Sequence, residues 1–233
     1  MIATSWNCRG LGNCRAIQVL ANLVRKKGPK ILFLTETKLS ISEMEPIQQE
    51  LQFDSMIVVL SMRRSGKIAL LWKNEVALTT YTVSPNHIDA LITTSMQVHW
   101  WLMGVYGHLE DQRKCETWYL MCHLNNQASL PWVYVGDFNE ILSSTEKNGE
   151  LSKPLSMMQA FQSTLLHCGL VDLGYQGKIF MWRNGWRGND FVKERLDRAC
   201  ANNEWSSIFP RAKVSHLDVS YFDHDLIQLS LGT

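Results

Sequence analysis

The chain has almost no surplus of charge: 23 Lys and Arg stand against 22 Asp and Glu, which leaves +1 with histidine neutral. No overall field draws polyanions to it, and a histone-like or polybasic binder is excluded. Long apolar runs are also missing. The longest stretches, such as 68–72 and 132–135, fall far short of the roughly 20 residues that cross a bilayer, so a soluble protein with no membrane partner is expected. The first seven residues lack the basic start, apolar core and small-residue cleavage site of a secretory signal, which predicts an intracellular, reducing compartment. Six cysteines (Cys8, Cys14, Cys115, Cys122, Cys168, Cys200) include no C-x-x-C pair. The spacing that closes a zinc site is therefore missing, and they read as thiols. Cys122-His123 lies in a segment of helical period and reads as a core thiol beside a surface imidazole. With no internal repeat, low-complexity tract or Pro/Gly/Ser linker, the 233 residues predict a single domain, 1–233.

What is present is a set of short periodic segments. An apolar run at 2–6, then Ile17, Leu20, Ala21 and Val24 at helical spacing, then an apolar run at 31–34, reads as strand, helix, strand. Ser40 with Glu43 fits a capping box and predicts a helix over 41–52. Between 53 and 106 the β-rich runs 56–60, 67–72, 76–83, 88–93 and 98–106 predict antiparallel strands. Asp111 is placed to cap a helix over 111–126, and Pro131 opens the strand 132–135, apolar on both faces and therefore central. Met157, Phe161 and Leu165 mark a helix closed by Gly169, and Asn184-Gly185 suits a hairpin turn. Strands near 213–219 and 226–231 finish the chain. Helices mixed with isolated and consecutive strands point to an α/β fold (α+β type) of two packed sheets covered by helices.

Polar residues collect where strands stop. Asn7 follows the first strand, Glu36 the run 31–34, Tyr106 the run 102–105, and Asp137 with Asn139 the run 132–135. Strand ends of a packed sheet share a rim, where residues distant in sequence converge on one ligand. Asp197 and Asp223-His224-Asp225 add carboxylates and the only histidine with an acidic residue on both sides. Each also has a structural explanation. Asn7 before Gly10 and Gly12 is a turn residue, Glu36 pairs with Lys38 at a solvated strand end, and Tyr106-Gly107 is a core edge. Asp197 on a helix surface pairs with Arg195 or Arg198, and Asp223-His224 is a capped turn. Gly136-Asp137-Phe138-Asn139 is stronger, because the glycine lets backbone approach a ligand beside two polar side chains.

The ordered set Trp6-Asn7-Cys8-Arg9-Gly10, Thr35-Glu36-Thr37, Val105-Tyr106-Gly107, Gly136-Asp137-Phe138-Asn139, Arg195-Leu196-Asp197 and Asp223-His224 resembles the endonuclease/exonuclease/phosphatase superfamily nearly end to end. Its flavour is similar to the apurinic-endonuclease-like domain of plant non-LTR (LINE-type) retrotransposons. The resemblance implies a four-layer sandwich of two mixed β-sheets flanked by helices, hydrolysing phosphodiesters with a divalent metal. Such a site must neutralise phosphate charge, activate water and stabilise the departing oxygen. Hard oxygen donors select Mg²⁺ or Mn²⁺, which keep several waters and need few protein ligands. By the resemblance Glu36 is the first metal ligand, Asn7 lies in that shell or orients it, and Asp223 approaches through water. Asp137 activates the attacking water, and Asn139 holds that water or a phosphate oxygen. His224 bonds the scissile phosphate, Asp197 fixes its tautomer, and Tyr106 contacts phosphate or the leaving oxygen.

Three positions depart from the pattern. Arg9 stands where related apurinic endonucleases often carry an acidic residue. Phe222 replaces a small hydroxyl residue, and its bulk is expected to displace His224 or unsteady Asp223, impairing activity. Met181 replaces a threonine near the phosphate path. On the run 182–187, Arg183, Trp186 and Arg187 interleave aromatic and basic groups that suit nucleic-acid binding, against a plain hairpin with solvated arginines. Arg25-Lys26-Lys27 complements a helix C-terminus. The expected function is nicking of DNA by a monomer, the step that primes reverse transcription, with a nuclear location by the retroelement analogy. No reverse-transcriptase segment is present, so an isolated domain, a truncated copy or a derived host gene is expected. The competing readings are a phosphoesterase of the same fold acting on RNA, phosphoinositide or another small phosphate, and an inactive nucleic-acid-binding relic.

Overall fold

Alternation along the strands decides the layering. In a strand, successive side chains point to opposite faces, so one residue in two serves each neighbouring layer. In β1 (Ile2–Asn7) and β2 (Ile31–Thr35), Ala3, Ile31 and Phe33 enter a central core, while Trp6, Leu32 and Leu34 enter a second one. The computed structural model describes residues 1–60, 67–94, 97–127, 130–150, 152–185, 190–219 and 222–232.

The second core lies under α1 (Cys14–Lys27) and α2 (Ile41–Glu50), which send in Ala16, Leu20, Val24, Met44 and Ile47. Asn13 caps α1 by accepting the Ala16 N–H at 3.1 Å, and Gly28, at φ 59°, ends it with its N–H on the Val24 carbonyl. Arg25, Lys26 and Lys27 occupy its last turn, as expected. The Ser40–Glu43 capping box opens α2.

Next come β3 (Ser55–Val59), β4 (Ile68–Trp72), β5 (Ala77–Ser84), β6 (His87–Thr93) and β7 (His99–Tyr106). They pair antiparallel as expected but divide between two sheets. The first sheet runs β14-β15-β1-β2-β4-β3 and the second β10-β13-β8-β7-β6-β5. Their members are β8 (Trp132–Asp137), β10 (Val171–Asp172), β13 (Asp197–Ala201), β14 (Lys213–Leu217) and β15 (Leu226–Ser230). A small third sheet joins β9 (Lys147–Asn148), β11 (Trp182–Arg183) and β12 (Lys193–Glu194) in the order β11-β12-β9. Among the described strands only β1 with β2 and β7 with β8 pair in parallel, and each pair is connected through a helix, α1 or α3 (Lys114–Gln127). Both large sheets are therefore mixed.

Between them lies the central core, where Phe33, Ile68 and Leu70 meet Ile88, Ile92, Trp100, Leu102, Val133 and Val135. On the far face of the second sheet, α3 and α4 (Leu155–His167) pack Trp118, Met121, Phe161 and Leu165 on Met103, Val105, Trp132 and Tyr134. The order helix, sheet, sheet, helix is the four-layer sandwich. A short α5 (Asn203–Ile208) buries Trp205 in the central core.

Three local expectations are corrected. Asp111 opens a 3₁₀ turn preceded by Glu110 and bonds Lys114 Nζ at 2.9 Å, so α3 starts three residues later. Asn184-Gly185 is not a two-residue turn. The ladder pairs Arg183 with Lys193, and Asn184 closes a longer loop through both polar groups of its backbone and side chain on Val192. Gly136, at φ 147°, answers to a neighbouring strand, because a Cβ there would lie 2.1 Å from the Val105 carbonyl oxygen. All six cysteines are free thiols. Cys122 is half-buried against the α3–α4 core and His123 is exposed. No helix among the described residues is long and apolar enough to cross a membrane.

Candidate active site

The two sheets meet at one rim through buried side-chain hydrogen bonds. Asn7, the last residue of β1, donates its amide N–H groups to Glu36 Oε1 and to Asp137 Oδ2, each at 2.9 Å. Its own oxygen accepts the Arg9 N–H at 3.2 Å. Asn7 therefore orients two carboxylates from different sheets, and its oxygen accepts one backbone N–H. Tyr106 donates its hydroxyl to the same Glu36 oxygen at 3.0 Å. Burial, then the charges of Glu36 and Asp137, push that phenol well above its ordinary range, so it stays a donor.

Register brings the other groups in. Asp137 ends β8 with Tyr106 beside it on β7 and Asp197 opposite it on β13. The Asn139 N–H binds Asp137 Oδ1 at 2.9 Å, and the Asn139 amide donates to the Gly107 carbonyl at 2.7 Å. Asn139 thus clamps the loop that presents Asp137, and it also lines the cleft beside His224. Asp197 lies buried in a strand, not on a helix surface. Arg195 and Arg198 pair instead with Glu146 and Asp172.

His224 accepts or donates through Nδ1 to Asp197 Oδ2 at 3.1 Å, with Asp137 Oδ2 4.0 Å away. Burial disfavours a charged ring, but the charge and hydrogen bond of Asp197, backed by Asp137 and Asp223, outweigh it and raise His224 to about 9. Burial and the Asp137 charge in turn push Asp197 up to about 7, against the pull of the ring. We place the shared proton on the imidazole, since negative groups flank it from two strands. Asp137, Asp197 and His224 bring their ligand atoms within 4.8 Å of one another. An imidazolium already supplies the cation of that cluster, so it makes a poor metal cage. Glu36 is better suited: Oε1 is held by Asn7 and Tyr106, and among the described residues no hydrogen bond engages Oε2. A hard carboxylate fixed by one oxygen and open at the other fits Mg²⁺ or Mn²⁺.

Backbone strain gathers at this rim. Arg9 (φ 44°), Glu36 (φ 54°), Lys38 (φ 60°) and Asn139 (φ 54°) all adopt the left-handed region that L side chains avoid, a pattern typical of functional sites. Lys38 bonds the Arg9 carbonyl at 3.2 Å rather than Glu36.

Other positions differ from expectation. Asp223 turns its carboxylate onto the Arg9 guanidinium. Arg183 donates to the Phe222 carbonyl at 2.6 Å, and its backbone N–H holds the Asp223 carbonyl, so it clamps the loop carrying His224. Trp186 and Arg187 lie outside the described residues. Phe222 does not displace His224; its ring packs edge-on against Trp6, 5.2 Å between centroids. Phe222→Ser is expected to forfeit that contact, lowering stability by about 1 kcal/mol without raising hydrolysis, which urea unfolding and an activity assay check together. Met181 is buried in the central core, and its carbonyl accepts the Asp225 N–H next to His224.

Sequence reasoning passed over three lysines. A cleft of about 310 Å³ beside His224 is lined by Arg9, Lys114, Asn139, Lys147, Lys153 and Trp182. Lys114 bonds Glu140 at 2.8 Å, and Lys147 and Lys153 bond Glu194 at 2.6 and 2.8 Å. They sit on separate segments with no shared motif, and only folding brings them together.

Comparison with known proteins agrees with this fold. Residues 4–216 match the model of the Endonuclease/Exonuclease/phosphatase family, and the chain belongs to that family. No curated protein matches the chain by sequence. Among solved structures it is similar to a 3′ phosphatase from Neisseria bound to a product DNA hairpin, at TM-score 0.76 and 17% identity over 100% of both chains. An AP endonuclease from Archaeoglobus fulgidus gives TM-score 0.76 and 13% identity over 100% of both chains. The endonuclease domain of TRAS1, a telomere-specific non-LTR retrotransposon, gives TM-score 0.73 and 14% identity over 98% of this chain and 97% of that one. At these identities the likeness concerns the fold.

Proposed function

We propose that the chain is a divalent-metal-dependent phosphodiester hydrolase that nicks DNA. The observation that carries this reading is the relay Glu36–Asn7–Asp137, in which one amide holds a metal-suited carboxylate and a second carboxylate facing the His224–Asp197 pair. A bound Mg²⁺ or Mn²⁺ at Glu36 would neutralise phosphate charge and stabilise the departing oxygen. Asp137, held at both oxygens by Asn7 and the Asn139 N–H, is aimed to take a proton from attacking water. His224 keeps Nδ1 on Asp197, so Nε2 is the nitrogen that donates to a phosphate oxygen in the cleft. Asp197 fixes that orientation and stabilises the imidazolium.

DNA is favoured as substrate because cationic and aromatic side chains, Arg9, Lys153 and Trp182 among them, wall the cleft beside His224. The motif flavour of the sequence supports a retroelement origin, with action in the nucleus as a monomer. Supercoiled plasmid incubated with Mg²⁺ is expected to become open circles, with no conversion in EDTA. Binding without conversion would favour an inert relic, and turnover of small phosphomonoesters alone would favour a phosphatase of the same fold.

A further inference from the structure

The Arg9 side chain occupies a position of consequence. Its backbone is pinned from two sides, the N–H by Asn7 and the carbonyl by Lys38, in a left-handed conformation that points the side chain across the rim. Nε lies 4.0 Å from Glu36 Oε1, and the same guanidinium is bonded to the Asp223 carboxylate. One organic cation thus spans the two carboxylates to which the metal reading assigns the divalent ion. Side-chain exposure runs from 9% at Glu36 through 26% at Asp223 to 42% at Arg9, so the carboxylates are the sheltered partners and the guanidinium the one able to leave.

We propose that Arg9 is a built-in counter-cation that competes with the divalent ion for Glu36 and Asp223. It offsets one of the two negative charges in the metal-free protein, and a divalent ion must break its contact with Asp223 to engage both carboxylates. The affinity of the site for metal is thereby set lower than its carboxylates alone would give. This rests on the metal reading of Glu36 given above.

Binding of Mn²⁺ to the whole chain, followed by calorimetry or by loss of the free-ion paramagnetic resonance signal, tests it. Arg9→Gln is expected to bind Mn²⁺ about tenfold more tightly than the parent, because a positive charge about 4 Å from the ion's ligand is gone. Its Mn²⁺-induced rise in melting temperature should be correspondingly larger, starting from a metal-free value no higher than the parent's. Arg9→Lys, which keeps the charge, is expected to stay within about threefold of the parent. Equal or weaker binding by a folded Arg9→Gln overturns the proposal, as does absence of Mn²⁺ binding to both proteins at millimolar concentration. Tighter binding by Arg9→Gln without plasmid nicking by the parent would sink the nuclease reading and leave this one standing. Nicking by the parent with unchanged Mn²⁺ affinity in the variant would do the reverse.

Discussion

Asp137→Ala is expected to lower plasmid nicking by about 10²–10⁴-fold, the usual contribution of a positioned general base. His224→Ala should cost about 10²–10³-fold, the usual loss when one donor to a developing negative charge is removed. Because both side chains serve the same reacting phosphate, the double variant should be little slower than the worse single one. The measurement is initial nicking rate on supercoiled plasmid in saturating Mg²⁺, with circular dichroism to confirm a native fold. Rates within tenfold of the parent for both variants would remove the proposed mechanism. Asp197 acts through His224 and needs a different readout. Asp197 is the leading favourable influence that raises the ring to about 9, so Asp197→Asn should bring the His224 titration, followed by its NMR ring signals, down in pH. Where a protonated imidazole is required, the alkaline limb of the rate profile should move down with it. A variant that only loosened the fold would not shift that limb.

Arg198→Met is expected to destabilise the protein by about 3–5 kcal/mol at pH 7, the usual cost of removing one partner from a buried ionic cluster. Arg198 is fully buried and donates to Glu146 Oε2 at 2.9 Å and Asp172 Oδ2 at 2.8 Å, while Arg195 grips the same two acids. Burial alone would raise Glu146 and Asp172, but the hydrogen bonds and charges of the two arginines more than reverse it and hold both below their ordinary range. A carboxylate depressed in the folded state adds stability above its unfolded value, near 4, and that stability is lost as pH falls through the folded value. His216 acts in an adjoining window. Burial lowers it to about 4, so its contribution is full above about 6.5 and disappears between there and 4. These three groups should therefore withdraw stability below pH 6.5, opposed over the same range by Asp197, which is raised to about 7 and gains by protonation. In Arg198→Met the acids keep only Arg195 as counter-charge and gain more by protonation than in the parent, so the gap between variant and parent should narrow toward pH 4. Urea unfolding at pH 7, 5.5 and 4 measures it, and a gap that widens on acidification would refute this account.

The cluster also explains a misreading. Next to Asp197 in sequence, Arg195 and Arg198 look like its ion-pair partners. In the strand β13, however, neighbours alternate faces, and Arg195 lies outside it, in the connection from β12. Both guanidiniums consequently reach Glu146 and Asp172, and Asp197 is left for His224. The same holds for Arg183, whose spacing with Trp182 and Trp186 suggests a nucleic-acid surface. Its guanidinium instead satisfies carbonyls of the loop at 219–222. Local pattern identifies residue types, whereas partner choice depends on segments distant in the chain.

Strand alternation, helical period and caps are local properties, since they depend on neighbours one to four positions away. For that reason the main sequence of helices and long strands, the capping box of α2 and the placement of polar residues at strand ends could be read directly from the order of amino acids. The division of the antiparallel strands between two sheets, the carboxylates joined by Asn7 and the bridging position of Arg9 required three-dimensional closure. They rest on pairings between residues 29 to 214 positions apart, and no short window of sequence contains both members of such a pair.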